Sequence, residues 1–167
     1  MSFSKGNKWY YRYYRTSNDT IIFINPNKEY DITFEVIGEK EINRKIYSVI
    51  EERYFLTSYI PIDMALYRIE GENLYMFRRD SIPNQYIGGL LAKFSVSEGG
   101  TFHCKYYHFD YVATIVKKTL TLTHIYYHIP GGYDEEFEIF FRKNIGIENH
   151  YSPDWRYGYL LAKFELK

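Results

Sequence analysis

Short runs in which apolar and polar residues alternate are the main pattern along this chain. Residues 30–36 (YDITFEV) and 119–123 (TLTLT) repeat with a period of two, and so do residues 136–141 (EFEIFF) except that Phe140 stands at a polar position. Such alternation is typical of a β-strand with one face in the core and one in solvent. We find no apolar stripe at helical spacing, and expect at most a short helical turn near residues 61–66. The pattern therefore predicts an all-β chain.

Residues that favour turns separate these runs. Glycine, asparagine or proline occurs in residues 38–43, 70–73, 99–100 and 130–132. Each of these residue types allows or presets the backbone angles that a tight turn requires. Short strands separated by such turns predict antiparallel pairing between neighbours in the sequence.

The two halves of the chain contain similar segments. Residues 90–94 and 160–164 are both LLAKF, and a glycine stands at the same distance before each of them. Three further pairs of segments are more weakly similar: 2–14 with 95–107, 30–47 with 109–126, and 76–80 with 140–144. All four pairs occur in the same order in the two halves. A shared order predicts two tandem homologous units, about 2–94 and 95–166, with one core in a single domain spanning 1–167.

Duplicated antiparallel units predict either a barrel-like sheet or a strongly curved sheet folded over itself. Closure into a barrel is attractive, because it removes the sheet edges that this chain would otherwise expose. The sequence leaves these two architectures open.

Charge and hydropathy exclude several classes of partner. The 21 basic and 21 acidic residues cancel, and no basic stripe stands out. Nucleic acids and anionic membranes bind clustered Lys and Arg, so we expect no nucleic-acid partner. The chain starts without an apolar segment of signal-peptide length, and no run approaches the length of a transmembrane helix. We expect either a cytoplasmic protein or one whose export signal has been removed.

Reactive side chains are concentrated in the second half, which contains His103, Cys104, His108, Asp110, His124 and His128. A Cys–His nucleophile pair or a His/Asp metal site on neighbouring strands is geometrically conceivable. Such a metal site would draw on His108, His124 and His128, which are weak candidates.

The internal similarity favours structural roles for these residues. Cys104 aligns with Tyr11 on a face that also carries Trp9, and a buried free cysteine usually acts as a small apolar side chain. Asp110 aligns with Asp31, which suggests a shared structural turn or strand start. The chain also lacks phosphate-binding glycine loops, a nucleophile elbow and zinc-binding motifs. We therefore predict no catalytic residue, no metal and no cofactor.

Aromatic residues make up 20% of the chain, with 20 Tyr and 12 Phe. In residues 8–15 (KWYYRYYR) we expect one face, with Trp9, Tyr11 and Tyr13, to point into the core. The other face would form a strip of rings and a cation that is open to solvent or a partner. The alternative is ordinary cross-strand pairing. The candidate ligand-binding residues are this strip, its aligned residues and one loop tryptophan: Tyr10, Arg12, Tyr14, Lys105, Tyr107 and Trp155.

Five segments together carry a family resemblance: residues 6–11 (GNKWYY), 42–47 (INRKIY), 66–71 (LYRIEG), 90–94 (LLAKF) and 145–147 (IGI). With these, the chain resembles small secreted or lipoprotein-type β domains of bacteria whose function is not established. Arg44 and Asn144 replace glycines of that pattern. The resemblance implies a β fold of the cell envelope or exterior, with the cytoplasm as the alternative, and it transfers no functional residues.

Four functions remain open. The first is a non-catalytic module that binds a protein, a glycan or a small molecule. The second is a carrier for an apolar ligand, which requires an internal cavity. The third is a structural subunit that forms a homo-oligomer through tyrosine-rich strands. The fourth, an enzyme, requires that His108, His124 and His128 converge in a cleft.

Overall fold

Every regular element is a β-strand in the part of the chain that the computed structural model describes, residues 3–55, 62–79, 85–132, 136–153 and 155–167. The strands are β1 (Lys8–Ser17), β2 (Thr20–Phe23), β3 (Ile32–Ile42), β4 (Lys45–Tyr54), β5 (Ile62–Glu70), β6 (Asn73–Arg79), β7 (Tyr86–Lys93), β8 (Thr101–Tyr106), β9 (Phe109–Lys118), β10 (Leu122–His128), β11 (Phe137–Arg142), β12 (Gly146–Ser152) and β13 (Tyr157–Glu165). The predicted all-β class is confirmed.

All strands belong to one antiparallel sheet that closes almost completely into a barrel. Its order is β7-β6-β5-β4-β3-β1-β13-β12-β11-β10-β9-β8, and β2 pairs with β1 beside this path. The pairing of β1 with β13 joins the two ends of the chain. At the other junction β7 and β8 lie side by side, although the described residues contain no backbone ladder between them. The barrel-like architecture is therefore the one that the chain adopts.

The antiparallel order creates two different ends. One end, which we call the base, carries the β3–β4, β5–β6, β9–β10 and β11–β12 turns. There the indole Nε1 of Trp9 donates to the carbonyl of Ile145 at 2.7 Å, and the backbone N–H of Lys167 donates to Asn7 Oδ1 at 2.7 Å. The space left near Trp9 is about 20 Å³, room for no more than a water molecule. The base is closed.

Large aromatic and aliphatic side chains fill the interior above the base. Tyr11 and Tyr127 are almost completely buried. Their hydroxyl groups each donate to a backbone carbonyl at 3.0 Å, Tyr11 to Ile147 and Tyr127 to Leu91. The second bond matters for closure, because it links β10 to the edge strand β7 across the interior. Burying each such ring contributes about 1.5–3 kcal/mol, and the partnered hydroxyls avoid a desolvation cost.

Two local predictions are wrong. Residues 62–66 belong to β5 rather than a helical turn, because β5 pairs with β4 on one side and β6 on the other; residue 61 lies outside the described residues. Residues 119–121 form a turn rather than a strand. The Thr119 hydroxyl accepts hydrogen bonds from the backbone N–H groups of Thr121 and Leu122, and Leu120 is 90% exposed. Threonine hydroxyls often stabilise turns in this way.

The two tandem units stay a prediction. Three of the four similar segment pairs fall on equivalent strands when β1 and β3–β7 are compared with β8–β13. The fourth pair does not, because residues 76–79 lie in β6 and residues 140–142 lie in β11. These are the fifth and fourth strands of their halves.

Candidate ligand-binding site at the mouth of the barrel

The end opposite the base, which we call the mouth, contains a cavity of about 550 Å³. This volume is within the range of sites for small molecules. Six of its ten lining side chains carry Tyr, Phe or Trp rings. The lining consists of Tyr106, Tyr107, His108, Phe109, Tyr111, Glu136, Phe137, His150, Ser152 and Trp155.

The β8–β9 hairpin supplies one wall of the cavity. Its two-residue turn, Tyr107–His108, follows the last pair of the ladder, Tyr106 with Phe109. Tyr107 takes a φ of 54°, which residues other than glycine adopt rarely. The rings of Tyr106 and Tyr107 pack edge to face with their centroids 5.1 Å apart. The turn thus fixes two rings at nearly right angles beside the cavity.

The second wall comes from β9, β11 and β12. Phe137 packs edge to face against Tyr111 at 5.1 Å. The imidazole of His150 lies between two rings, with Phe137 5.5 Å away on one side and Tyr159 4.9 Å away on the other. Burial lowers the pKa of His150 to about 4, and the positive charge of Arg78 makes a smaller contribution in the same direction. The imidazole is therefore neutral at neutral pH.

A buried charge cluster lies next to this wall. Arg78 donates to Glu52 through Nη1 at 2.7 Å and Nη2 at 2.9 Å, and Nη1 also lies 2.7 Å from Asp63 Oδ2. The Tyr54 hydroxyl donates to Glu52 at 2.8 Å. Glu52 is completely buried and Arg78 nearly so, whereas the Asp63 side chain is about half exposed. Burial opposes the charge of Arg78, but Glu52 overcomes this effect and the pKa of Arg78 is raised above its ordinary value.

Arg78 connects the cluster to the cavity. Its guanidinium carbon lies 5.4 Å from the centroid of the Tyr107 ring. Its Nε is buried and has no hydrogen-bond partner within the described ranges. Burial raises the pKa of Tyr107 to about 12 even though Arg78 acts in the opposite direction. The Tyr107 hydroxyl therefore stays protonated at neutral pH.

The structure brings together two of the six predicted ligand-binding residues. Tyr107 and Trp155 both line the cavity, and Trp155 is 69% exposed at its rim. Lys105 is exposed on β8, where its side chain lies against Gly89 of β7 rather than at the cavity. Tyr10, Arg12 and Tyr14 are on β1 and do not line the cavity.

The predicted open strip on β1 is covered by the chain itself. Tyr10 packs on Tyr30 at 4.9 Å, and Arg12 stacks on Phe23 at 3.7 Å. Tyr14 is only 2% exposed, and its hydroxyl donates to Asn149. The expectation that Tyr14 faces solvent is therefore wrong. Strand β2 and the segment after it cover Arg12 and Tyr10, and β12 covers Tyr14, which alternation along β1 could not indicate.

The histidines do not converge. His108 lies at the cavity, whereas His124 stacks on Phe140 at 4.0 Å and its Nε2 lies 3.0 Å from Glu138. His128 stacks with Tyr126 further along β10. Within the described part of the chain, no group of three or more His, Cys, Asp or Glu residues could hold a metal ion.

Cys104 is a buried core residue. The thiol is free, and burial together with the nearby Asp110 raises its pKa to about 12. A protonated thiol is a poor nucleophile. Asp110 is exposed, whereas its aligned residue Asp31 is completely buried. The two aspartates therefore do not share a structural role.

Sequence analysis missed the charge cluster. Glu52 follows Ile50 by two residues and Arg78 follows Met76 by two residues, so both charged side chains are in phase with buried apolar positions. A charged residue at a core position on each of two strands was the available signal, because buried charges need partners.

Comparisons with known proteins assign this chain to no family. A scan against models of protein families, a search of curated proteins and a search of solved structures each found no match. The described residues contain no helix that is long and apolar enough to cross a membrane. The resemblance to bacterial secreted or lipoprotein-type domains stays a prediction.

Proposed function

We propose that this protein is a non-catalytic binding module that holds a small, ring-containing molecule in the mouth of its barrel. The observation that carries the proposal is the 550 Å³ cavity with its six aromatic rings. Such rings offer large apolar surfaces and favour other rings at edge-to-face or offset-stacked geometry. A few polar groups beside an apolar lining are typical of small-molecule sites.

The walls of the cavity are well organised for binding. Tyr106, Tyr111 and Phe137 hold one another through edge-to-face or tilted contacts of 5.0–6.4 Å. A site whose side chains are already fixed loses less conformational freedom when the ligand binds. Phe109 and Trp155 are the exposed rings of the rim, so a ligand that covers them removes apolar surface from water.

A neutral fluorescent dye, N-phenyl-1-naphthylamine, tests the proposal. We expect one dye per chain, with emission that increases and shifts to the blue as the dye leaves water. Phe109→Ala and Trp155→Ala should each weaken binding by about tenfold, the loss expected from removing one ring contact of roughly 1.4 kcal/mol. Native mass spectrometry gives the stoichiometry and reports any co-purified molecule.

Phe164→Ala provides the matched control. Phe164 is 42% exposed and Phe109 is 46% exposed, but Phe164 lies near the base end of β13. We expect Phe164→Ala to leave dye binding unchanged. Equal losses in the two variants, or binding that neither rim variant affects, would contradict a site at the mouth.

We further propose that the module acts at the cell envelope or outside the cell. The family resemblance of residues 6–11, 42–47 and 90–94 supports this location. Fractionation of cells that make the protein tests it. Recovery in the cytoplasmic fraction alone would contradict the proposal without affecting the binding site.

A further inference from the structure

We propose that the barrel opens locally along the seam between β7 and β8 while its other strands stay paired. The seam is the junction of Tyr86–Lys93 with Thr101–Tyr106. Tyr106 and Tyr107 line the mouth cavity, so the same movement shifts one of its walls. The inference concerns the barrel itself and does not depend on the proposed binding function.

The seam lacks the backbone pairing that joins the other neighbouring strands around the barrel. Those strands are connected by antiparallel ladders. Every residue of β7 and β8 is described, and within the described residues β7 pairs with β6 alone and β8 with β9 alone. Ladder hydrogen bonds stabilise a strand pair. The seam is therefore the junction at which the sheet can part without breaking a ladder.

The packing at the seam involves little buried surface from β8. A methyl group at Gly89 of β7 would lie 3.1 Å from the Cβ of Lys105, so a lysine stem fills the space beside the glycine. Lys105 is exposed, and this contact buries little apolar area. On the interior side, two of the six β8 side chains are buried, Phe102 and Cys104. Opening the seam exposes far less surface than unfolding the barrel.

Two side-chain contacts cross the seam. The Tyr127 hydroxyl on β10 donates to the carbonyl of Leu91 on β7 at 3.0 Å. At the mouth, the guanidinium carbon of Arg78 on β6 lies 5.4 Å from the Tyr107 ring centroid in the β8–β9 turn. At the base, residues 94–100 connect the two strands covalently. The covalent connection restrains the base end, so the separation is largest at the mouth.

Cys104 reports the opening, because its thiol is buried and belongs to β8. We would measure its labelling by an aromatic disulfide reagent at increasing urea and compare the rate with the rate that global unfolding alone allows. A local opening exposes little surface, so its equilibrium depends only weakly on urea. Below the unfolding transition we expect slow labelling that is nearly independent of urea and at least about tenfold faster than global unfolding allows.

The variant Cys104→Ala/Ala65→Cys is the control for position. Ala65 is completely buried on β5, which is paired with β4 on one side and β6 on the other. We expect the thiol of this variant to be labelled at the rate set by global unfolding at every urea concentration.

Tyr127→Phe tests the link across the seam. The substitution removes the hydroxyl that bonds to Leu91 and should increase urea-independent labelling of Cys104 by about threefold to tenfold, the effect of one hydrogen bond. Tyr11→Phe is the matched control. Its hydroxyl is equally buried and donates to the carbonyl of Ile147 at 3.0 Å, but this bond joins β1 to β12 and does not cross the seam. It should leave the urea-independent labelling unchanged, even though it lowers global stability.

Three results would overturn the inference. The first is labelling of Cys104 that follows global unfolding at every urea concentration. The second is the same urea-independent labelling in Cys104→Ala/Ala65→Cys, because the opening would then not be confined to the seam. The third is an equal increase in Tyr127→Phe and Tyr11→Phe. All of these measurements are made without a ligand, so a failure here leaves the binding proposal untouched, and a failure of dye binding leaves the seam untouched.

Discussion

The guanidinium of Arg78 and the carboxylate of Glu52 form two hydrogen bonds, 2.7 and 2.9 Å long, in the interior near the mouth of the barrel. The two residues are on β6 and β4, and Asp63, on the intervening β5, accepts a third bond from Arg78. One side chain thus links three neighbouring strands at the end where the cavity opens. The pair helps to hold these strands together at the mouth. If one partner moved out of the interior, the other would be left as a buried charge without compensation.

Arg78→Met should be strongly destabilising. The substitution leaves the Glu52 carboxylate buried without a cation, and removing one partner of a buried ion pair typically costs about 3–5 kcal/mol. Urea unfolding followed by circular dichroism measures the loss. The double variant Arg78→Met/Glu52→Leu should recover most of it, because no uncompensated charge then remains.

Arg53→Ala is the control for this prediction. Arg53 lies 2.5 Å from Glu51, but its side chain is about half exposed. Exposed ion pairs contribute up to about 1 kcal/mol. If Arg78→Met costs no more than Arg53→Ala, or if the double variant is less stable than Arg78→Met alone, the interior pair does not have the role described here.

The charge state of His150 should make stability depend on pH. Burial lowers its pKa from 6.5 to about 4 in the folded protein. Between these values the unfolded chain binds a proton that the folded chain does not, so stability is complete above pH 6.5 and decreases as the pH falls toward 4. The loss from this one group approaches about 3 kcal/mol.

His150→Phe tests the pH prediction while keeping a ring between Phe137 and Tyr159. Urea midpoints measured across this pH range should fall less steeply on acidification in the variant than in wild type. His103→Gln, at an exposed histidine, should follow the wild-type profile. A direct NMR titration of His150 with a midpoint near 6.5 would contradict the lowered pKa.

Cys104 should be almost inert in the native protein. With a pKa of about 12 rather than 9.0, it carries about a thousandfold less thiolate at a given pH, and burial further restricts access. Labelling with an aromatic disulfide reagent should therefore be slow in buffer and fast in guanidinium chloride. A Cys104→Ala/Leu120→Cys variant, with its thiol at a 90% exposed turn position, should react rapidly without denaturant. Fast native labelling of Cys104 would reopen the Cys–His hypothesis.

The fold class could be predicted because it depends on local patterns. Residues 137–141 alternate in sequence except at Phe140, and they form β11 with buried and partly exposed positions in turn. The turns at residues 71–72 and 130–131 also occur where glycine indicates them. Period-two alternation and turn residues act over a few positions, so one sequence is enough to detect them.

The site could be predicted only in part because it is assembled from distant segments. Tyr107 and Trp155 were identified as exposed rings, but their meeting at one cavity depends on the closure of the barrel. Alternation also separates two faces without indicating which face the chain will cover. For that reason Tyr14 was assigned to solvent although Tyr151 and Asn149 bury it.

Asp31 should be much more important for stability than Asp110, its aligned residue. The carboxylate of Asp31 is completely buried and accepts hydrogen bonds from the backbone N–H of Tyr13 at 2.9 Å and from Asn25 Nδ2 at 2.6 Å. Its own backbone N–H donates to Tyr11. Asp31→Ala removes the acceptor for two donors near the mouth, and leaving such groups unpaired costs about 1–3 kcal/mol or more.

Asp110→Ala is the matched variant, because sequence comparison of the two halves pairs these aspartates while the structure gives them opposite environments. Asp110 is exposed, and a surface substitution away from special features typically changes stability by less than about 0.5 kcal/mol. Urea unfolding of both variants against wild type makes the comparison. Similar losses would mean that the two residues have equivalent roles, which would support the tandem units and contradict the local role assigned to Asp31. A large loss for Asp31→Ala alone would show that the hydrogen bonds from Tyr13 and Asn25 stabilise the first half of the barrel, which contains β2 and the segment after it. The second half would then lack an equivalent of this role at Asp110.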